Sequence, residues 1–201
     1  MDALQLTGND LVPADVAAVA RRGRAVELEA AARQRMRATR AWVDQVVQGP
    51  DDLPVYGVNT GYGSLARVRI DNAHIAQLSW NLVRSHAAGV GPAVSHDVVR
   101  GMMLLRANAL AKGASGVRPA LVDTLCAMLV KGVTPVVPSR GSCGSSGDLA
   151  PLSHLGLVVF RGPADADPAE SGEAWFEGER LSGAEAMARA GIERLIPAPK
   201  E

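Results

Sequence analysis

Apolar residues recur at helical spacing along most of the chain, and residues that favour turns separate these stretches. The pattern predicts helices over residues 13–23, 27–47, about 73–88, 95–111, 119–131 and 149–159, and a short helix between residues 182 and 191. Residues 133–137 are predicted to be extended, and residues 175–181 to form a small hairpin that turns near Gly178. The predicted fold is therefore mainly α, with short extended segments and one small β-hairpin.

A loop rich in glycine and serine stands directly before the helix predicted at residue 149. Residues 141–147 contain three glycines and three serines, and Asp148 suits the first position of a helix. Phosphate-binding loops require Gly-Lys-Ser/Thr or G-x-G-x-x-G, and neither sequence is present. The G-x-S-x-G elbow of serine hydrolases fails when it is centred on Ser146, because Asp148 occupies its last position. A plain flexible linker is disfavoured by the strongly patterned helix that follows.

The same loop suits chemistry of its own backbone. If the Gly147 amide nitrogen attacks the Ser145 carbonyl carbon, a five-membered ring closes. Loss of water there, and loss of the Ser146 hydroxyl, leaves an exocyclic methylene, which is an electrophile made only from protein. Glycine at position 147 permits the close approach of the two backbone groups, and the methylene requires a β-leaving group at position 146.

Residues 141–154 resemble the signature of the aromatic amino acid ammonia-lyases and aminomutases, a family that includes the histidine ammonia-lyases. That family builds a 4-methylidene-imidazol-5-one group (MIO) from Ala-Ser-Gly, and here Ser145 replaces the alanine, of which only the backbone enters the ring. The resemblance implies an MIO formed from Ser145-Ser146-Gly147, with Asp148 supporting ring formation and no external cofactor. It extends from about Leu6 to Glu201, so residues 1–201 correspond to an N-terminal MIO-forming domain without the family's C-terminal helical bundle.

A second glycine-rich loop carries both tyrosines of the chain. Residues 55–63 contain glycines at three positions, and the pattern alone favours a structural turn with packed aromatic rings. The stretch is similar to the family's mobile loop, whose leading tyrosine exchanges a proton with the substrate, and Tyr56 takes that place. Tyr62 stands where phenylalanine is common, so we expect it to pack rather than to catalyse.

The helix predicted over residues 73–88 ends its apolar stripe at a histidine. By itself, a lone histidine on such a face, here His86, is more often a satisfied core residue than a ligand contact. The pair Ser85 and His86 nevertheless resembles the family's substrate-selectivity segment, as it occurs in histidine lyases and some tyrosine aminomutases. The resemblance therefore implies that both residues bind the substrate side chain.

Composition narrows the remaining function classes. Lys+Arg and Asp+Glu balance at 21 each, so no basic face for nucleic acid or an anionic membrane is indicated. No apolar run approaches the length of a membrane span, and a cytoplasmic location is expected. The four histidines show no metal-ligand spacing, so no metal site is predicted.

The predicted function is that of an MIO-dependent ammonia-lyase acting on an aromatic L-amino acid, with L-histidine to urocanate favoured. Tyrosine 2,3-aminomutase or tyrosine ammonia-lyase activity is the alternative within the family, and a non-catalytic fragment or structural module is the alternative outside it. A serine hydrolase at Ser146 is a weaker third reading. The family resemblance implies a homotetramer whose sites are completed by later segments. We therefore expect the 201-residue chain to be inactive by itself.

Overall fold

The structure is a computed structural model that describes residues 2–49, 54–143, 147–164 and 168–201, with the backbone only at positions 72 and 168. Helices dominate it. In chain order they are α1 (Pro13–Arg22), α2 (Ala30–Gln48), α3 (Ile75–His86), α4 (His96–Ala111), α5 (Pro119–Lys131), α6 (Leu149–Val159) and α7 (Gly183–Arg189). Each matches a stretch predicted to be helical, with α2 extending one residue beyond its predicted end, so the mainly α fold is confirmed.

Proline and glycine set the ends of two of these helices. α1 and α5 begin on Pro13 and Pro119, whose missing N–H would have had no partner in the first helical turn. Gly23 and Gly132 follow the last turns in the left-handed conformation, with φ of 68° and 84°, and their amides bond back to the helix. Both pairs of helix ends agree with the sequence prediction.

Two short strands near the N-terminus correct the predicted start of the second helix. β1 (Leu4–Leu6) pairs in parallel with β2 (Val26–Leu28), so the helix predicted from Glu27 begins only at Ala30. The side chain of Glu29 accepts a hydrogen bond from the first turn and caps α2. The outer residues of β2 are buried and Glu27 between them is exposed, which is the alternation of a strand.

The remaining strands form two small sheets, and one of them contains the strand that leads into the loop before α6. They are β3 (Val90–Ala93), β4 (Thr134–Pro135), β5 (Pro138–Arg140), β6 (Glu173–Phe176) and β7 (Glu179–Ser182). β3 pairs antiparallel with β5, and a second antiparallel sheet has the order β4-β6-β7. β6 and β7 form the predicted hairpin, and Gly178 adopts φ 83° at its turn.

A single buried cluster joins α2, α4 and α5 to the shorter elements. It draws one large ring from α3, since Trp80 is only 2% exposed. Its largest fully buried side chains are Trp80, Leu6, Met36, Met103, Leu104, Leu110, Leu125, Met128 and Met187. α3 is thereby anchored in the core, and its last residues, Ser85 and His86, are held where the core ends.

One face of α4 remains uncovered. Val98 and Leu105 on that face are 55% and 54% exposed. With apolar residues of α1 they line an open groove of about 1060 Å³, which extends to Ser142 and Asp148 beside the glycine-rich loop. Exposed apolar surfaces of this kind are typical of protein interfaces and of ligand-binding grooves.

Candidate active site

The loop that carries the predicted ring joins β5 to α6. Ser145 and Ser146 lie outside the described residues, whereas Gly147 lies within them. Gly147 has φ 75°, the left-handed conformation that favours glycine. A Cβ built on Gly147 would meet no described atom within 4 Å. Backbone conformation, rather than lack of space, is therefore the reason for glycine at this position in the described structure.

Asp148 closes this loop and does not cap the helix. Its carboxylate oxygen Oδ1 accepts the Ser142 hydroxyl at 2.6 Å, and its side chain makes no capping bond to α6, contrary to the expected cap. The helix nevertheless begins at the predicted residue, Leu149. Gly141 also lies against the first turn of α6, because a Cβ built on it would stand 2.8 Å from Ala150 Cβ. The two ends of the loop are thus held together.

Ser85 and His86 form a hydrogen-bonded group at the C-terminal end of α3. The Ser85 hydroxyl donates to the Leu82 carbonyl oxygen at 2.9 Å, and His86 Nδ1 lies 2.9 Å from the same oxygen. A carbonyl oxygen only accepts, so the ring hydrogen of a neutral His86 is on Nδ1. This leaves Nε2 as an acceptor, and it has no hydrogen-bond partner within the described parts of the chain. The Nε2 atom of His86 is therefore available to accept a hydrogen bond from a donor group.

Strand pairing joins this histidine segment to the ring-bearing loop. Val90, four residues after His86, pairs with Arg140, the last residue of β5. Gly89, which lies between His86 and Val90, donates its N–H to His154 Nε2 on α6 at 3.0 Å. The predicted selectivity residues and the predicted ring residues therefore belong to segments that meet directly. The contact with His154 was not predicted from the sequence.

Residues 54–63, named here the Tyr56 loop, hold their shape through hydrogen bonds within the loop. Asn59 Oδ1 accepts the Val55 N–H at 2.7 Å, and Thr60 Oγ1 accepts the Gly57 N–H at 3.2 Å. Asn59 and Thr60 are only 1% and 2% exposed. The sequence analysis missed both supports, although short polar side chains between glycines are a signal for bonds to a local backbone.

The two tyrosines of this loop differ in exposure. Tyr56 is 55% exposed, and its hydroxyl accepts the Gly63 N–H at 3.4 Å. Tyr62 is partly buried and donates to the Gly57 carbonyl oxygen at 3.4 Å. Burial raises the pKa of Tyr62, and the nearby Ser79 hydroxyl partly offsets that rise. The Ser79 hydroxyl lies close to Tyr62 but does not form a hydrogen bond with it. The expected packing of Tyr62 is observed, and Tyr56 is the more exposed of the two side chains.

The Tyr56 loop touches the rest of the site through α3. The tyrosine rings meet edge to face with their centroids 5.9 Å apart. Tyr62 lies next to Ser79 on α3, the helix that ends in His86. The described contacts of the Tyr56 side chain stay within its own loop, so the structure does not bring Tyr56 into contact with His86 or Asp148.

Neither a metal-binding cluster nor a membrane-spanning helix occurs in residues 2–49, 54–143, 147–164 and 168–201. These residues contain no group of three or more His, Cys, Asp or Glu side chains arranged to hold a metal ion. None of their helices combines the length and the apolar character that crossing a membrane requires. Burial raises the pKa of the Cys126 thiol to about 12, so this thiol stays protonated.

Comparison with known proteins identifies one family over nearly the whole chain. A family model described as aromatic amino acid lyase matches residues 11–201. The histidine ammonia-lyase of Koribacter versatilis is 49% identical over 201 residues, which cover all of this chain and 37% of that protein. The chain thus spans less than two-fifths of the length of this curated relative.

Solved enzyme structures superpose on this chain over nearly its whole length. The ergothionase of Treponema denticola, in complex with desmethyl-ergothioneine sulfonic acid, matches with a TM-score of 0.88 and 32% identity, over 99% of this chain and 38% of its own. The tyrosine aminomutase of Streptomyces globisporus matches with a TM-score of 0.84 and 33% identity, over 99% of this chain and 35% of its own. The arrangement of helices and strands described above is therefore shared with both enzymes.

Proposed function

Because this chain belongs to the aromatic amino acid lyase family, we propose that the complete protein is an ammonia-lyase that converts L-histidine to urocanate and ammonia. The bond between the α-carbon and the amine breaks, and a proton leaves the β-carbon. The identity of 49% to a histidine ammonia-lyase along the whole chain supports this assignment. The observation that carries the choice of a polar substrate is the bonding of His86, which leaves one ring nitrogen as an acceptor.

The described ends of the ring-bearing loop fit an MIO formed from Ser145-Ser146-Gly147. Gly147 has the left-handed conformation that permits a tight backbone, and the Ser142–Asp148 hydrogen bond holds the two ends of the loop together. When formed, the MIO supplies an electrophilic methylene for the substrate amine. Asp148 stands as a proton acceptor within the same short loop and thereby supports ring formation.

Tyr56 is assigned as the base that removes the β-proton. Each hydroxyl lies 3.4 Å from a backbone group of the loop, but the Tyr56 side chain is 55% exposed whereas Tyr62 is partly buried. A group that transfers a proton must reach the reacting carbon, and the more exposed tyrosine is better placed to do so. The hydrogen bonds of Asn59 and Thr60 give the segment that carries Tyr56 a defined shape.

His86 is assigned to the substrate side chain, with Ser85 supporting it. The neutral imidazole of L-histidine carries one N–H, and His86 Nε2 is an acceptor that such a donor satisfies. Ser85 shares the Leu82 carbonyl with His86 and lies 3.0 Å from its Nδ1, so it stabilises the tautomer that accepts. The same acceptor suits the phenol of tyrosine.

A tyrosine aminomutase or tyrosine ammonia-lyase is therefore the second candidate. It is favoured by that phenol donor and by the 33% identity to a tyrosine aminomutase along 99% of the chain. Elimination yields an α,β-unsaturated acid, whereas an aminomutase returns the amine to the β-carbon. The two activities differ in their products, and chromatography of a completed reaction separates them.

We further propose that residues 1–201 are the ring-bearing N-terminal part of a homotetramer and are inactive alone. The support is the uncovered apolar groove beside Ser142 and Asp148, together with the 37% of the relative's length that the chain spans. Assays of the 201-residue chain, alone and with the remaining polypeptide added, test this. Robust turnover by the 201 residues alone would refute it.

The substrate assignment is tested on the complete protein with L-histidine, L-tyrosine and L-phenylalanine. Absorbance of the unsaturated acid reports elimination, and chromatography reports any β-amino acid. We expect L-histidine to have the highest kcat/KM. L-phenylalanine as the best substrate would contradict the role of His86, because its ring has no donor for Nε2. Inactivity toward all three would reject the lyase assignment.

A further inference from the structure

The helix that follows the ring-bearing loop carries a histidine that the proposed reaction does not use. His154 lies on α6, and its Nε2 accepts the Gly89 backbone N–H at 3.0 Å across 65 residues of sequence. An amide nitrogen only donates, so Nε2 must carry a lone pair, and the hydrogen of the neutral ring is on Nδ1. His154 is thus held in one tautomer by a backbone group.

Gly89 fills a narrow space between α6 and the loop. A Cβ built on Gly89 would stand 3.0 Å from His154 Nε2 and 3.3 Å from Pro138 Cβ. From the opposite side, a Cβ built on Gly141 would stand 3.3 Å from the Gly89 Cα. The Gly89 backbone is therefore enclosed by β5, Gly141 and α6, and it lies only three residues after His86.

We propose that His154 is a positioning residue that fixes the Ser85 and His86 segment relative to the ring-bearing loop by accepting the Gly89 N–H. The inference rests on the proposed function, because it assigns His86 to substrate recognition. His154 acts through the backbone of Gly89. Its loss should weaken binding of the substrate side chain more than it slows bond cleavage.

The surroundings of His154 keep its ring neutral. Burial lowers the pKa of His154, so the acceptor state persists through neutral pH. The charged groups that line the same cavity are Glu173 and Arg180, and these bond to each other at 2.9 Å. A protonated ring carries a hydrogen on Nε2 and cannot accept the Gly89 N–H, so this hydrogen bond is lost when His154 is protonated at acid pH.

Two substitutions in the complete protein test whether the hydrogen-bond acceptor at position 154 matters, or the imidazole ring as such. His154→Gln places an amide oxygen near the position of Nε2 and does not titrate, whereas His154→Leu removes the acceptor. We expect His154→Leu to raise KM for the preferred amino acid roughly fivefold, the typical effect of one lost hydrogen bond, with a smaller change in kcat. His154→Gln should keep KM near that of the unsubstituted protein. His74→Leu, the same change at an exposed histidine, is the matched control.

Hydrogen exchange gives a readout that is independent of activity. Peptides covering residues 87–93 should exchange faster in His154→Leu, and at the unsubstituted rate in His154→Gln. If His154→Leu fails to fold, the ratio of KM between the unsubstituted protein and His154→Gln replaces it. That ratio should rise as the pH falls through the lowered pKa of His154, where only the natural residue loses its acceptor.

The outcomes separate this inference from the proposed function. Inactivity of the unsubstituted complete protein would reject the proposed function. In an active protein, an unchanged KM for His154→Leu, or equal losses for the Leu and Gln variants, would reject the positioning role of His154 alone. A KM ratio between the unsubstituted protein and His154→Gln that does not vary with pH would reject it as well.

Discussion

The Tyr56 loop and the junction around Gly89 are supported in opposite ways. In the Tyr56 loop, Asn59 and Thr60 bond to the backbone of the same ten residues. At the junction, the bonds run between elements distant in sequence, from Gly89 to His154 and from β3 to β5. The first region is bonded to itself and to residues 68–70 directly after it, whereas the second cannot change without disturbing α3 or α6.

This difference matches the tasks assigned to the two regions. A substrate side chain and an electrophile must be held at a fixed separation, which the junction provides through backbone pairing. A base must approach after the substrate has entered, which a loop with internal support allows. Substitutions in the Tyr56 loop should therefore act on catalysis, and those at the junction on recognition.

The largest expected effect follows from replacing the exposed tyrosine. Tyr56→Phe removes the hydroxyl and should lower kcat of the complete protein by about 10²- to 10⁴-fold, the usual contribution of a positioned acid or base. The substrate KM should change little, because the ring stays in place. Steady-state kinetics with the preferred amino acid give both numbers.

Tyr62→Phe is the matched control, since it removes the same atom from the other ring of the pair. The Tyr62 hydroxyl donates to the Gly57 carbonyl at 3.4 Å and lies beside Ser79, and it has no assigned part in the reaction, so kcat should remain close to that of the unsubstituted protein. Equal losses from the two changes would show that the loop acts as a whole and that Tyr56 is not the base.

A smaller effect is expected from the recognition side. His86→Phe removes the Nε2 acceptor and should lower kcat/KM for L-histidine by about 10- to 100-fold, because the substrate N–H loses its partner. The value for L-phenylalanine should fall less or rise. Ser85→Ala, which leaves the His86 ring in place, should have a weaker effect. A proportional loss for all substrates would contradict a side-chain contact at position 86.

The support inside the loop predicts a local effect on stability. Asn59→Ala leaves the Val55 N–H without its acceptor and should cost about 1–3 kcal/mol locally. Hydrogen exchange should accelerate over residues 54–63 and stay unchanged over residues 87–93. Ser64→Ala, at an exposed neighbouring position, is the control. Faster exchange in both regions would show that loop and junction are one unit.

The smallest expected effect is a dependence of stability on pH at the junction. Burial lowers the pKa of His154 below its ordinary 6.5, so the unfolded state binds a proton before the folded state does. The stability that this group contributes is present above pH 6.5 and is lost as the pH falls through the lowered folded pKa. Thermal unfolding of the unsubstituted protein should show a steeper acid decline than that of His154→Gln. Parallel declines would contradict the assignment.

The sequence predicted those parts of the fold that repeat locally. α4 and α5 were predictable because their apolar positions recur every three to four residues and because Pro119 and Gly132 mark ends. β1 and β2 were not, because each is three residues long and becomes a strand only through a partner some twenty residues away. A three-residue alternation cannot be told from part of a helix.

The sequence predicts candidate site residues, and it does not predict the contacts between the segments that carry them. The glycine and serine spacing of residues 141–147 and the family resemblance identified the loop, and the apolar stripe of α3 ended at His86. The bond between Gly89 and His154 has no local signal, since the partners are 65 residues apart. The roles of Tyr56, His86 and the ring residues stay predictions.

The central claim is that the complete protein makes its own electrophile from Ser145-Ser146-Gly147, and intact mass tests it most directly. The purified protein, expressed without added cofactor, should be lighter than its encoded chain by two waters. Ser146→Ala removes the leaving group for the methylene, so that variant should not show the full loss, and Asp148→Ala should reach the loss more slowly. An unaltered mass in a correctly assembled, unsubstituted protein would contradict the claim.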